Sequence, residues 1–257
     1  ELKGPEDGKT IILVHGNAAP YFTWDNNIDA LADAGFRVLR YDVYGHGYSD
    51  RPKLRKYDRE LYDEQLVELK EKLNITGPVY MIGTSQGGCI TTYFAASHPE
   101  EVEKVALLSP LFDTFPGKNR VNLLKTRFIG EYMMNVSGDK MLTDPSKVLY
   151  SDEKKQELTD KLKKQINFKG KKRAVLANMR GNAIDDATIY YEKLGEEEIP
   201  ILLTWGENDK KNTKESMEKL QQLIPKIQYH EIEKASHLAH YEFPEVINKL
   251  LIDYLNQ

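Results

Sequence analysis

Ser85 lies in the pentapeptide Gly83-Thr84-Ser85-Gln86-Gly87, between the apolar run Val79, Tyr80, Met81, Ile82 and a helix-forming stretch that opens with Gly88, Cys89 and Ile90. Small residues two before and two after a serine let a strand turn sharply into a helix and lift the hydroxyl above a sheet, where a bulkier side chain would clash. A serine hydroxyl is a poor nucleophile near neutral pH, so such a residue needs a base to take its proton and a carboxylate to orient that base. Asp209, in Trp205-Gly206-Glu207-Asn208-Asp209, and His237, in Ala235-Ser236-His237, are the candidates, because each follows a predicted strand. Each has a plainer reading: a glycine-rich turn for the pentapeptide, a helix N-cap for Asp209 and a turn histidine for His237. Three loops that agree in order and in sheet edge weigh against all three plain readings together.

The elements that must carry these loops alternate. Thr10–Val14 is a short apolar run of the kind found in strands buried on both faces, and it ends at His15-Gly16. Helical spacing runs from Tyr21 to Ala34, Gly35 stops it, and Phe36, Val38, Leu39 and Tyr41 make a second strand ending at Asp42. A helix is predicted over Tyr57–Leu73, a strand over Pro78–Gly83, a helix over Gln86–Ser97 and a strand over Val102–Leu108. From about Asp113 to Ile184 the rhythm breaks into methionines and lysine-rich helical stretches with no credible buried strand. It resumes with a strand at Ile199–Trp205, a helix at Lys211–Leu223, a strand at Ile227–Ile232 and an amphipathic helix at Pro244–Leu255. The expected class is α/β, a mostly parallel, doubly wound sheet with residues 1–112 and 185–257 as core and 113–184 as an inserted helical cap.

Composition fits that size and class. Of 257 residues, 40% are hydrophobic and 30% charged, which is ordinary for a globular chain able to bury a substantial core. A net charge of -4 argues against a nucleic-acid partner. No apolar run approaches the roughly 20 residues of a spanning helix, and no charged-then-apolar leader opens the chain. The compartment stays open, with the cytoplasm favoured and a trimmed N-terminus allowed by the start at Glu1. The single cysteine, Cys89, excludes an internal disulfide and a multi-cysteine metal site, and reads as a small core residue.

Taken together, the sequence resembles alpha/beta-hydrolase-fold serine hydrolases of the esterase and lipase type over nearly its whole length outside the insertion. His15-Gly16-Asn17 is similar to that family's oxyanion loop, Asp42 to Ser49 to its Asp-x-x-Gly-x-Gly-x-Ser loop, Gly83–Gly87 to its nucleophile turn and Gly206–Asp209 to its acid loop. His237, Glu242 and Pro244 match its histidine motif, and the order Ser, Asp, His is the family's. The resemblance implies Ser85, Asp209 and His237 as catalytic residues, the backbone N–H groups of Asn17 and Gln86 as oxyanion donors, and no metal or cofactor. It also implies one or two strands before the His-Gly strand, where this chain has only nine residues; a truncation or a short sheet is expected there. Haloalkane dehalogenases and epoxide hydrolases carry an aspartate at the Ser85 position, which sets their chemistry aside even though Asn17 is similar to the dehalogenase loop.

The expected activity is carboxylic ester hydrolysis on a small-molecule substrate. Two rivals remain: carbon–carbon bond hydrolysis of diketone-like ring-cleavage products, and a ligand receptor that retains the triad. Residues 113–185 hold 16 Lys and Arg against 9 Asp and Glu, a net +7 that leaves -11 for the rest. Such a basic insertion could attract an acidic substrate or a peripheral membrane surface, or could be a solvated helix face. Met133, Met134 and Met141 could line an acyl pocket or pack the cap on the core. Oligomeric state is not legible.

Overall fold

The computed structural model describes residues 1–112 and 118–257. In chain order the elements are β1 (Leu2–Lys3), β2 (Thr10–Val14), α1 (Ile28–Asp33), β3 (Arg37–Tyr41), α2 (Arg59–Lys72), β4 (Val79–Thr84), α3 (Gln86–Ser97) and β5 (Val102–Leu108). Four helices follow, α4 (Lys118–Lys125), α5 (Ile129–Thr143), α6 (Asp152–Gln165) and α7 (Lys171–Arg180), and then α8 (Thr188–Glu196). The chain closes with β6 (Ile201–Gly206), α9 (Lys214–Leu223), β7 (Gln228–Ile232), α10 (Ala239–Glu242) and α11 (Pro244–Leu255).

The seven strands form one sheet in the order β1-β3-β2-β4-β5-β6-β7, parallel except for β1, which runs antiparallel to β3. The two-residue β1 stands where the family resemblance called for one or two strands. Every residue of β4 and β6 is buried, as near-continuous apolar runs require when helices cover both faces. One face packs Tyr62 and Leu66 of α2, Phe94 of α3, Tyr191 of α8 and Leu220 of α9. The other packs Trp24, Leu31 of α1, and Ile247 and Leu251 of α11. The sheet is thus doubly wound, and truncating a fully buried ring such as Phe94 would cost about 3–5 kcal/mol. Because β2 to β7 are parallel, the segments after Val14, Tyr41, Thr84, Leu108, Gly206 and Ile232 all leave the sheet at its carboxyl edge, where ligands of open α/β sheets bind.

Two expected helices differ. The stretch Tyr21–Ala34 is not continuous: a 3-10 turn at Tyr21–Trp24 is separated from α1 by Asp25, Asn26 and Asn27. Asn26 Nδ2 donates to Tyr241 O at 3.3 Å and Asn27 Nδ2 to His240 O at 3.2 Å, so these amides serve the tertiary fold rather than the helix. The helix expected from Lys211 starts instead at Lys214, where the Thr213 side chain accepts from Ser216 N at 3.2 Å as the N-cap. Between β5 and α8, helices α4, α5 and α7 bury Leu124, Met134, Val175 and Leu176 in a small core of their own.

Candidate active site

Ser85 joins β4 to α3 with φ 54° and ψ −122°, a left-handed conformation that costs a non-glycine residue on the order of 1–3 kcal/mol. Its flanking glycines are required by space. A Cβ on Gly83 would lie 2.3 Å from Gly87 O, and one on Gly87 would lie 2.1 Å from Val14 O. The strained turn exposes the serine to a cavity of about 520 Å³ that is also lined by Asn17 and His237. Gln86 is the first residue of α3, so its N–H has no acceptor within the helix and is free to meet a ligand.

The loops after β6 and β7 are zipped together by Glu207 N donating to Ile232 O at 3.1 Å and Asn208 N to Ala235 O at 2.8 Å. This brings His237 Nδ1 to 2.8 Å from Asp209 Oδ2, with both side chains almost entirely buried. Asp209 Oδ1 accepts from Lys211 N at 2.7 Å and Asn212 N at 3.2 Å. Burial pushes the Asp209 carboxyl up, but the His237 ring and the two backbone donors outweigh it and hold the group below its ordinary value. Asp209 therefore stays a carboxylate, and its turn role and its histidine contact coexist. Glu242 fixes the loop: Oε2 accepts from Ser236 N at 3.0 Å, while Oε1 accepts from Tyr150 N at 2.6 Å and Ser151 N at 2.9 Å across the inserted segment.

His240 points elsewhere. Its Nε2 lies 3.0 Å from Thr23 Oγ1 and its ring is tilted on Trp24 with centroids 4.4 Å apart. Burial, followed by the nearby His237, pushes it down to about 3, so it is a neutral core ring.

The loop after β2 is held by two more buried histidines. His15 Nδ1 donates to Gly16 O at 2.7 Å and its Nε2 accepts from Val43 N at 3.0 Å. His46 Nε2 donates to Asn17 Oδ1 at 3.1 Å, a bond that accounts for the Asn17 side chain. Asp42 braces the segment to Ser49 by accepting from Tyr21 N and Tyr48 N, each at 2.8 Å. Sequence reasoning missed the residue that completes this layer. Asn178 of α7 is fully buried; its Nδ2 donates to Gln86 Oε1 at 2.9 Å and to Asn17 Oδ1 at 3.3 Å, and its Oδ1 accepts from Gln86 Nε2 and Tyr62 OH, each at 2.8 Å. An asparagine inside the run Ala174-Val175-Leu176-Ala177 carries no motif that would have announced it.

Most of the remaining cavity wall comes from the inserted helices, including Met141, Met179 and Ile184, together with Lys140, Lys147 and Lys171; Lys211 follows Asp209 by two residues. Of the three methionines singled out by sequence, Met141 lines the cavity, Met134 sits in the inserted helices' own core and Met133 packs against that core. Cys89 is buried, donates to Leu111 O at 2.8 Å and is pushed by burial up to about 12. Among the described residues the one trio of His and Glu ligand atoms close enough to share a cation is His98, Glu100 and Glu101. It lies at the far end of α3, about 18 Å from Ser85 by helix rise, with His98 held by Asp63 and Glu101 by Lys70. A serine that lines one cavity with a buried imidazole–carboxylate pair, followed by a free amide donor at a helix start, can attack a carbonyl and stabilise the resulting oxyanion.

The family model described as the alpha/beta hydrolase fold matches residues 9–244. The chain belongs to this family. Among similar proteins, a 2-hydroxy-6-oxononadienedioate/2-hydroxy-6-oxononatrienedioate hydrolase of Paraburkholderia phymatum is 26% identical over 262 residues, covering 97% of this chain and 88% of the relative. The crystal structure of an enol-lactonase from Burkholderia xenovorans superposes with a TM-score of 0.85 at 23% identity, covering 100% of this chain and 95% of that one. A thermophilic esterase from Thermogutta terrifontis gives 0.82 at 23% identity, covering 100% and 92%. The structural likenesses establish the alpha/beta hydrolase fold; they do not choose among substrates. No helix among the described residues is long and apolar enough to cross a membrane.

Proposed function

We propose that this hydrolase cleaves carboxylic esters through an acyl-enzyme, with Ser85 as nucleophile, His237 as general base and acid, and Asp209 as the group that orients the imidazole. Ser85 Oγ adds to the ester carbonyl while His237 takes its proton. The resulting oxyanion is met by the N–H groups of Asn17 and Gln86. The carbon–oxygen bond to the alcohol then breaks as His237 returns the proton to the leaving alkoxide, and water repeats the sequence to release the acid and restore Ser85. The expected cap is 113–184, of which 113–117 lie outside the described residues; residues 118–184 act as a cap, supplying much of the cavity wall and so much of the substrate choice. The observation that carries the reading is the buried 2.8 Å contact of His237 Nδ1 with Asp209 Oδ2 on the same sheet edge as the strained Ser85.

A fluorophosphonate should label Ser85 stoichiometrically, and a panel of p-nitrophenyl esters should be turned over by the parent protein but not by Ser85→Ala. Labelling without turnover of any ester would overturn the esterase reading in favour of a receptor. The second enzymatic reading, carbon–carbon hydrolysis of a diketone-like acid, draws support from the full-length likeness to the oxononadienedioate hydrolase. Turnover of a vinylogous 1,5-diketone with no ester turned over would establish it instead.

A further inference from the structure

Four lysines line the cavity that holds Ser85 and His237: Lys140 on α5, Lys147 after it, Lys171 at the start of α7 and Lys211 after β6. Among the described residues the one acidic lining residue is Asp144. Among the described residues none of the four ammonium groups makes an ion pair or a side-chain hydrogen bond. Other lysines of the inserted helices are paired. Lys154 pairs with Glu157 at 3.0 Å, Lys155 with Asp152 at 2.8 Å, Lys161 with Asp25 and Glu157 at 3.0 Å each, and Lys172 with Asp139 at 2.9 Å. Those cations are neutralised, whereas the cavity lysines, like the exposed Lys164 and Lys169, have no ion pair among the described residues; the cavity lysines differ in that they face the site.

Position divides the four. Lys171, near Asp42 and Arg51, and Lys211, two residues after Asp209, are half-buried, whereas Lys140 and Lys147 are exposed. Asp42 acts on Lys171 and Asp209 on Lys211 without touching either, so each half-buried ammonium lacks a contacting counter-charge, and an anion entering the cavity would relieve its withdrawal from water. The exposed pair would draw the anion in by its field, and the half-buried pair would hold it. No arginine lines the cavity among the described residues, so recognition there is by point charge rather than by a planar bidentate fork. The rest of the wall includes Leu111, Leu124, Met141 and Ile184, which suits a hydrocarbon chain.

We infer that the substrates of this hydrolase carry a carboxylate, held by Lys171 and Lys211 while the scissile carbonyl lies at Ser85. This inference rests on the ester-hydrolase reading and names the substrate class for that site.

The test compares mono-p-nitrophenyl adipate with p-nitrophenyl heptanoate, acyl chains of similar length that differ in a terminal charge. In low-salt buffer at pH 7 the acid should be preferred in kcat/KM by tenfold or more. Lys171→Met and Lys211→Met should each cut that ratio at least fivefold, Lys171→Arg should restore most of it, and 0.5 M NaCl should shrink it. A parent ratio at or below one, or a ratio unchanged in both methionine variants, would overturn the inference while leaving ester hydrolysis standing. If neither ester is turned over, the ester-hydrolase reading fails and binding decides. Monomethyl adipate at millimolar concentration should then raise the Tm of the parent but not of Lys171→Met, and methyl heptanoate should not. Equal shifts by the two ligands would overturn the carboxylate site itself.

Discussion

Asn178, on helix α7, and Gln86, the residue after the nucleophile, hold each other by a reciprocal pair of amide hydrogen bonds of 2.9 and 2.8 Å. The pair joins the inserted helices to the first turn of α3, and its third bond, to Asn17 Oδ1, reaches the other oxyanion loop. One buried side chain from the inserted segment therefore ties together the side chains of the two residues whose N–H groups are proposed as oxyanion donors. Asn178→Ala should remove hydrogen bonds from both Gln86 and Tyr62 in a buried site and lower stability by about 1–3 kcal/mol. It should also lower kcat on short and long esters by a similar factor, because it acts through the donors and not through the acyl pocket. Denaturant titration with kinetics on two esters reads both effects; a loss confined to one ester would assign Asn178 to substrate contact.

The same geometry separates backbone from side-chain roles. Asn17→Ala removes an acceptor for His46 and Asn178 but keeps the N–H, so its rate loss should stay well below the roughly 100-fold or more that follows removal of an oxyanion donor. Ser85→Ala and His237→Ala should each abolish nearly all turnover, and Asp209→Asn should be severe because it spoils the imidazole's orientation and charge support. His240→Asn should retain substantial activity, since that ring faces Thr23 and Trp24. Near-parental acyl-enzyme turnover in folded His237→Ala would reject the assignment.

The strands, their alternation with helices and the five loops at the carboxyl edge were legible because period, glycine placement and short motifs are local signals. Ser85, Asp209 and His237 belong to that class. Asn178 and Lys171 do not, because their roles come from where α7 lies against α3 and the cavity, which no local pattern encodes. The break between Tyr21 and Ala34 escaped for the same reason: Asn26 and Asn27 choose partners more than 200 residues away. The lysine-rich run from Lys154 to Arg173 reads alike throughout, yet several of its lysines are paired on the surface while Lys171 faces the cavity.

Three buried histidines make the fold acid-sensitive. His240 is pushed down to about 3 by burial and by His237, while an unfolded histidine titrates near 6.5. Between those values the unfolded chain binds a proton that the folded chain refuses. The stability of the neutral ring is fully present above about pH 6.5 and is lost as pH falls, at about 1.4 kcal/mol per pH unit. Burial shifts His15 and His46 in the same direction. His240→Phe should flatten the acid limb of a stability–pH curve measured by urea titration from pH 7 to 4; an unchanged slope would remove His240 as a source.

Cys89 offers a probe of the core. Buried on α3 and pushed up to about 12, it is neither exposed nor a thiolate at neutral pH. Iodoacetamide should leave the native protein unmodified for hours and react with one thiol in denaturant. Rapid native labelling would mean that α3 opens from Leu111.

The cavity lysines give the site its own pH signature. Burial and then Arg51 push Lys171 down to about 8, with Asp42 opposing from the end of β3. His15 and His46 complete its charged surroundings, since each is itself held lower by Lys171. The ammonium is therefore fully formed below that value and lost as pH rises through it. The preference for mono-p-nitrophenyl adipate over p-nitrophenyl heptanoate should be level from pH 6 to 7 and decline above about 8. A guanidinium stays protonated across this range, so Lys171→Arg should hold its preference to pH 9. The ratio of the two kcat/KM values cancels any titration of the catalytic groups common to both esters. A parent ratio that stays flat to pH 9 would mean that Lys171 does not meet the carboxylate, leaving Lys211 as the inner cation to be tested by the same profile.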